Sequence, residues 1–133
     1  IQKISLHLTD ATAAEFDRFT KEDTVPEAVV VGDLGSGWTF DRLNTAFRQL
    51  EGTARLLAIQ KNRYWRTEEG LVLDAGPFVA ALEYASGKEA VTVGKPSQSY
   101  FQAAAKALAV PSANIIVVGD DIVADVGGAI EAA

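Results

Sequence analysis

Short apolar runs and helical stripes alternate along this chain, and their two periods, about 2 and about 3.6 residues, set the elements to expect. Ile4-Ser5-Leu6-His7-Leu8 alternates apolar and polar residues, the pattern of a half-buried strand. Ala28-Val29-Val30-Val31 is a β-branched run stopping at Gly32-Asp33, as a fully buried strand does. Phe40, Leu43, Phe47 and Leu50 share one helical face, with Thr39 as N-cap and Gly52 as the stop. Residues 54–59 form another expected strand, and Leu71-Val72-Leu73 a short one before Asp74-Ala75-Gly76. Pro77 suits a first helical turn, Phe78, Ala81, Leu82 and Ala85 form that helix's expected buried face, and Gly87 ends it.

The last third repeats the alternation. Residues 90–93 predict a strand leading into Gly94-Lys95-Pro96, and Ser97 a cap for a helix with Phe101, Ala104, Ala105 and Leu108 buried. Residues 115–118 are the most apolar expected strand, running into Gly119-Asp120-Asp121, with a final helix starting near Ala124. Strands alternating with helices predict an α/β fold with a largely parallel sheet.

Composition narrows the partners. The 133 residues carry a net charge of −6, which repels a phosphate backbone and argues against nucleic acid. No apolar run approaches the ~20 residues of a membrane span. There is no cysteine and only one histidine, His7, so thiolate and multi-histidine metal sites are excluded. No targeting segment is visible, so the cytoplasm is the expected location. The chain opens on Ile1 and holds no methionine, which predicts a processed N-terminus or an internal segment.

Chemistry concentrates at two expected strand ends. In open α/β sheets, ligands bind beyond the carboxyl ends of strands. Lys95 follows one such end, and Asp120 and Asp121 follow another. A lysine neutralises phosphoryl charge and carboxylate oxygens suit Mg²⁺. Spacing alone fits a surface lysine and a helix-capping aspartate pair as well. Asp33 and Asp74, at loop starts, read as turn formers, and His7 as a solvated or hydrogen-bonded histidine.

Gly94-Lys95-Pro96-Ser97, followed by Gly119-Asp120-Asp121-Ile122-Val123-Ala124-Asp125-Val126-Gly127-Gly128-Ala129, resembles the third and fourth motifs of the haloacid dehalogenase (HAD) superfamily. The long stretch before them resembles the α/β cap of its nitrophenylphosphatase-like branch. Ala13-Ala14-Glu15-Phe16-Asp17, Lys61-Asn62-Arg63-Tyr64-Trp65 and Leu73-Asp74-Ala75-Gly76-Pro77-Phe78 narrow it to one group within that branch. The resemblance implies an α/β cap over residues 4–92 and a partial Rossmann-like core with parallel strands over 93–133. It implies a Mg²⁺-dependent phosphatase of small phosphorylated compounds. Lys95 would neutralise the phosphoryl group and help position the nucleophile, Asp120 would bind the metal, Asp121 would be a second ligand or would orient the first, and Asp125 would support the site through hydrogen bonds. Lys61, Asn62, Arg63 and Tyr64, after a cap strand, are candidate substrate contacts, although Tyr64 and Trp65 beside Leu71 and Leu73 also suit packing.

The departure from the family is specific. Its Asp-x-Asp strand, which supplies the nucleophile and the acid-base, has no counterpart in these 133 residues. The expectation is a segment without phosphatase turnover of its own, or a non-catalytic module derived from the cap. A reduced core leaves sheet edges and an apolar face open, which predicts a homo-oligomer.

Overall fold

Ala28–Val31 is buried at all four positions and becomes the middle of a parallel sheet. The computed structural model describes all residues from Ile1 to Ala133. They form two compact units, Ile1–Val91 and Thr92–Ala133.

In the first unit, β1 (Lys3–His7) lies between β2 (Thr20–Lys21) and β3 (Ala28–Val31), and β4 (Arg55–Ala58) follows β3. All these pairings are parallel, and His7, Val31 and Ala58 stand in register at the carboxyl ends. Successive side chains of β3 point to opposite faces. Val29 and Val31 meet Leu56, Ala46, Leu50, Val79 and Leu82 on one side. Ala28 and Val30 meet Ile4 and Leu8 on the other, with Phe16 and Phe19 packed against them. A helical turn, α1 (Asp10–Ala13), opens the segment that carries Phe16.

Helix α2 (Phe40–Leu50) starts where the capping pattern placed it, with Thr39 Oγ1 accepting from Arg42 N at 3.2 Å. Its stripe differs from expectation at one position. Leu43, Ala46, Phe47 and Leu50 pack in the core, but Phe40 is 80% exposed because no core residue covers the first turn. Helix α3 is Ala75–Ser86, capped by Asp74 and closed by Gly87 at φ 69°. It buries Ala75, Gly76, Val79 and Leu82, while Ala81 and Ala85 of the expected face are exposed. The helix is apolar nearly all round, so pattern does not choose its face. Gly76 chooses it: its N–H donates to Asn62 O at 2.8 Å, and a Cβ there would sit 2.7 Å from Lys61 O. Only glycine lets the helix backbone come this close.

Between β4 and α3 lies an antiparallel hairpin, β5 (Tyr64–Thr67) and β6 (Gly70–Leu73). Tyr64 pairs with Leu73 and Trp65 with Val72. All four side chains remain exposed, so the hairpin does not contribute them to the core. The unit ends as β7 (Val91–Thr92) begins, a shorter strand than residues 90–93 predict.

The second unit holds α4 (Gln98–Leu108), a wide π-type turn at Ile122–Gly127, and α5 (Gly128–Ala132). The final helix therefore starts earlier than Ala124 and begins as a π turn, in which both Asp125 N and Val126 N donate to Asp121 O. Residues 115–118 form no strand. Ile115 has extended dihedrals, φ −106° and ψ 131°, but no ladder partner, and Ile116 and Val118 are 88% and 91% exposed. A strand is completed by its neighbour's N–H and C=O groups, and nothing here provides them. For the same reason the expected stripe of α4 is not buried: Phe101 and Ala105 line an open apolar groove of about 540 Å³ with Ile115, Val117, Val126 and Ile130. Ser97 precedes α4 but makes no capping bond, its hydroxyl lying 3.1 Å from Ser99 Oγ. No helix of the chain is long and apolar enough to cross a membrane.

Candidate functional site

The second unit brings Lys95 and the acidic run together around Asp125. Lys95 Nζ donates to Asp125 Oδ1 at 2.6 Å. The other oxygen, Oδ2, accepts from Asp121 N at 3.2 Å. The Asp125 side chain is only 8% exposed, against 43% for Lys95, so the carboxylate is an anchor and the ammonium still faces solvent. The Lys95 hydrogen bond, helped by Asp121 N–H, holds the Asp125 carboxyl below its ordinary range. In return, the bond to Asp125 raises the Lys95 ammonium above the ordinary lysine value, and Asp120 adds to that. Lys95 is therefore fully charged at neutral pH.

The three carboxylates of the run are engaged differently. Asp125, expected to support a metal site, has both oxygens engaged, one by Lys95 and one by the chain at Asp121. Asp121 caps the π turn, Oδ1 accepting from Val123 N and Ala124 N at 2.8 Å each. Asp120 is exposed and its carboxylate is engaged in no hydrogen bond. A π turn next to engaged carboxylates is a recurrent feature of functional sites.

Gly119 makes the arrangement possible. A Cβ at this position would fall on the Asp125 side chain, against Cγ and Oδ2. Gly119→Ala should therefore push the Asp125 carboxylate aside and break its bond to Lys95. The expected result is that the Lys95 amine pKa drops back toward the ordinary lysine value, read by NMR titration of its ε-carbon. An unchanged lysine titration would contradict this account of Gly119.

Nowhere do three His, Cys, Asp or Glu side chains cluster as a metal cage would require. What remains available is the Asp120 carboxylate and one oxygen of Asp121. Mg²⁺ accepts hard oxygens and commonly takes one or two carboxylates, with water and phosphate completing the shell. The residues thus suit one side of such a site and do not make a whole one.

In the first unit, the four candidate substrate contacts separate. Lys61 Nζ lies 2.8 and 2.7 Å from the two Glu83 oxygens, and Glu83 also accepts from Ala90 N at 2.9 Å. Lys61 therefore fastens α3. Asn62 offers its carbonyl to Gly76, and its side chain is half-buried. Arg63 stacks over the Tyr64 ring, 5.5 Å from its centroid, and both are exposed. Asp33 accepts from Gly35 N, and Asp74 accepts from Ala75 N and from Gln60 Nε2, as turn and cap residues do. Sequence reasoning missed the partners of His7, which is buried and bonded to Gln49 and Arg42 of α2. His7 falls on the same face of β1 as Ser5, which alternation reads as the polar face, and the structure buries both.

A parallel α/β sheet in one unit, and in the other a Gly-Lys-Pro lysine held against the turn after Gly-Asp-Asp, are the features to compare with known proteins. The chain resembles the HAD-like hydrolases, and the HAD-hydrolase-like family model matches residues 92–133. Among curated proteins it is 42% identical over 123 residues to the phospholysine phosphohistidine inorganic pyrophosphate phosphatase of Bos taurus, covering 90% of this chain and 44% of that protein. The Homo sapiens protein of the same name is 40% identical over 126 residues, covering 93% and 46%. Among solved structures, p-nitrophenyl phosphatase from Archaeoglobus fulgidus superposes with a TM-score of 0.89 at 25% identity, covering 98% of this chain and 51% of that one. NagD from E. coli gives 0.87 at 27% identity, covering 98% and 52%. The chain spans about half the length of the relatives it matches.

Proposed function

We propose that this chain is the cap and the lysine-aspartate part of a phosphatase for small phosphorylated compounds, a phosphoamide, pyrophosphate or a phosphomonoester. The observation that carries the reading is the charged, half-exposed Lys95, oriented by the buried Asp125 beside an uncommitted Asp120. An ammonium held in one place, before charge develops on a phosphoryl group, stabilises that charge without reorganising. Asp120, with one oxygen of Asp121, would face Mg²⁺, which when bound neutralises phosphate oxygens. Asp125 orients Lys95. Residues 1–91 would serve as the cap, with Asn62, Arg63 and Tyr64 the remaining candidates for substrate contact, because Lys61 is committed to Glu83.

Covalent phosphoryl transfer also needs a positioned nucleophile, and no Asp-x-Asp occurs in the 133 residues. Two assays test the reading. The chain alone, given an aryl phosphate and Mg²⁺, is expected to show no turnover; robust turnover abolished by Asp120→Ala would refute that. A chimera in which the chain replaces the matching half of the Archaeoglobus fulgidus enzyme is expected to hydrolyse the same substrate. A folded but inactive chimera would favour a second reading, a cap-derived interaction or oligomerisation module. The exposed hairpin apolar residues Trp65, Leu71 and Leu73 are the observation on its side.

A further inference from the structure

His7 is 2% exposed at the carboxyl end of β1, and every polar atom of its ring is engaged. Arg42 Nε donates to Nδ1 at 3.1 Å, and Arg42 Nη2 donates to Leu6 O at 3.0 Å. A guanidinium has no lone pair to offer, so Nδ1 must be the acceptor and the proton of the neutral ring must sit on Nε2. Nε2 then donates to Gln49 Oε1 at 2.9 Å, and Gln49 Nε2 donates to Asp23 O at 2.9 Å. Ser5 Oγ donates to Asp23 Oδ1 at 2.8 Å. The donors run one way, from α2 through the imidazole and back through α2 to the segment between β2 and β3. The ring also stacks on Trp38, 5.9 Å between centroids and 15° between planes, and Trp38 stacks on Phe78 of α3 at 4.9 Å.

Arg42 is in the first turn of α2, where a cation opposes the helix dipole. It stays there through its bonds to His7 and Leu6. We propose that His7 is a pH-operated latch that fastens α2 and the Trp38 loop to β1, closed while the imidazole is neutral and opened when Nδ1 takes a proton. A proton on Nδ1 removes the acceptor and sets two cations face to face, so Arg42 leaves toward solvent. The Nε2–H bond to Gln49 survives protonation, so the change is local to Arg42 and Trp38. The charged groups facing the ring are Arg42 from α2 and Asp23 from the segment after β2. Burial is the main influence and lowers the imidazole below the ordinary histidine pKa, with Gln49 and Asp23 opposing and Arg42 reinforcing. A neutral-preferring histidine adds stability above its unfolded pKa of about 6.5. That stability is lost as pH falls from there through the lowered folded value.

The chain has one histidine and two tryptophans, Trp38 and Trp65, which makes the test direct. In the 133-residue chain labelled with ¹⁵N, the ring at pH above neutrality is expected to show a pyridine-like Nδ1 and a pyrrole-like Nε2. In a Trp65→Phe background, Trp38 emission is expected to shift to the red with the same midpoint as the ring titration, while far-UV circular dichroism holds. His7→Gln should abolish that shift. Arg42→Met, which keeps the histidine, should raise the midpoint and mix the tautomers, and serves if His7→Gln does not fold. The opposite tautomer, a Trp38 signal blind to the ring titration, the same shift in His7→Gln, an unchanged ring in Arg42→Met, or circular dichroism lost in step with emission would each overturn the latch.

Discussion

Lys95→Met in the chimeric phosphatase is expected to lower kcat by about 100-fold or more, the usual loss when one preorganised charge-stabilising donor is removed. Methionine keeps most of the aliphatic stem, so the change isolates the ammonium. The bond to Asp125 raises the lysine pKa, so the full positive charge is present throughout the neutral range and its loss is not masked by partial protonation. In the proposed role the interaction would belong to the developing phosphoryl charge more than to the bound substrate. Accordingly kcat and kcat/KM should fall together, with KM nearly unchanged. Lys95→Arg should not restore the rate, because a planar fork cannot reproduce a point contact with Asp125 Oδ1. Steady-state kinetics with an aryl phosphate decide it; a kcat within a few fold of the parent would remove Lys95 from the proposed chemistry.

Leu56→Ala should destabilise the first unit by about 2–5 kcal/mol, the range for truncating a buried leucine. Leu56 is 1% exposed on β4, directly opposite Val29 of β3, and shares a cluster with Leu50, Val79 and Leu82 from two helices. Truncation therefore opens a cavity at the point where sheet, α2 and α3 meet, and no flexible side chain is free to fill it. Domains of this size are stable by only about 5–15 kcal/mol, so the substitution removes a large share of the margin. Leu71→Ala on the hairpin, 59% exposed, is the control and should change stability by less than about 0.5 kcal/mol. Urea denaturation of both variants gives the comparison; equal midpoints would mean that the sheet and helices do not form the core described.

Much of the local structure was legible in the chain. Thr39 as a cap, Gly87 as a stop and Ala28–Val31 as a buried strand were each readable because the deciding interactions lie within a few residues. The two motifs at 94–97 and 119–129 likewise marked residues that the fold brings together, since a lysine and paired aspartates are recognisable by order and spacing. The roles within that set were less legible. Asp120 and Asp121 look equivalent in sequence, yet one is uncommitted and the other caps a π turn.

What the chain settled alone was the α/β class, the parallel sheet with its strand at Ala28–Val31, and a lysine and an acidic run as the residues to examine. Tertiary structure decided three things that pattern leaves open. Residues 115–118 are apolar enough for a strand and still are not one, because strand formation needs a neighbour's hydrogen bonds. Helix α3 turned Val79 and Leu82 inward because Gly76 docks on the backbone at Lys61 and Asn62. Lys95 met Asp125, thirty positions away, because Gly119 leaves room for that carboxylate. Local sequence carries propensity and period, whereas partner choice depends on which atoms the folded chain brings within reach.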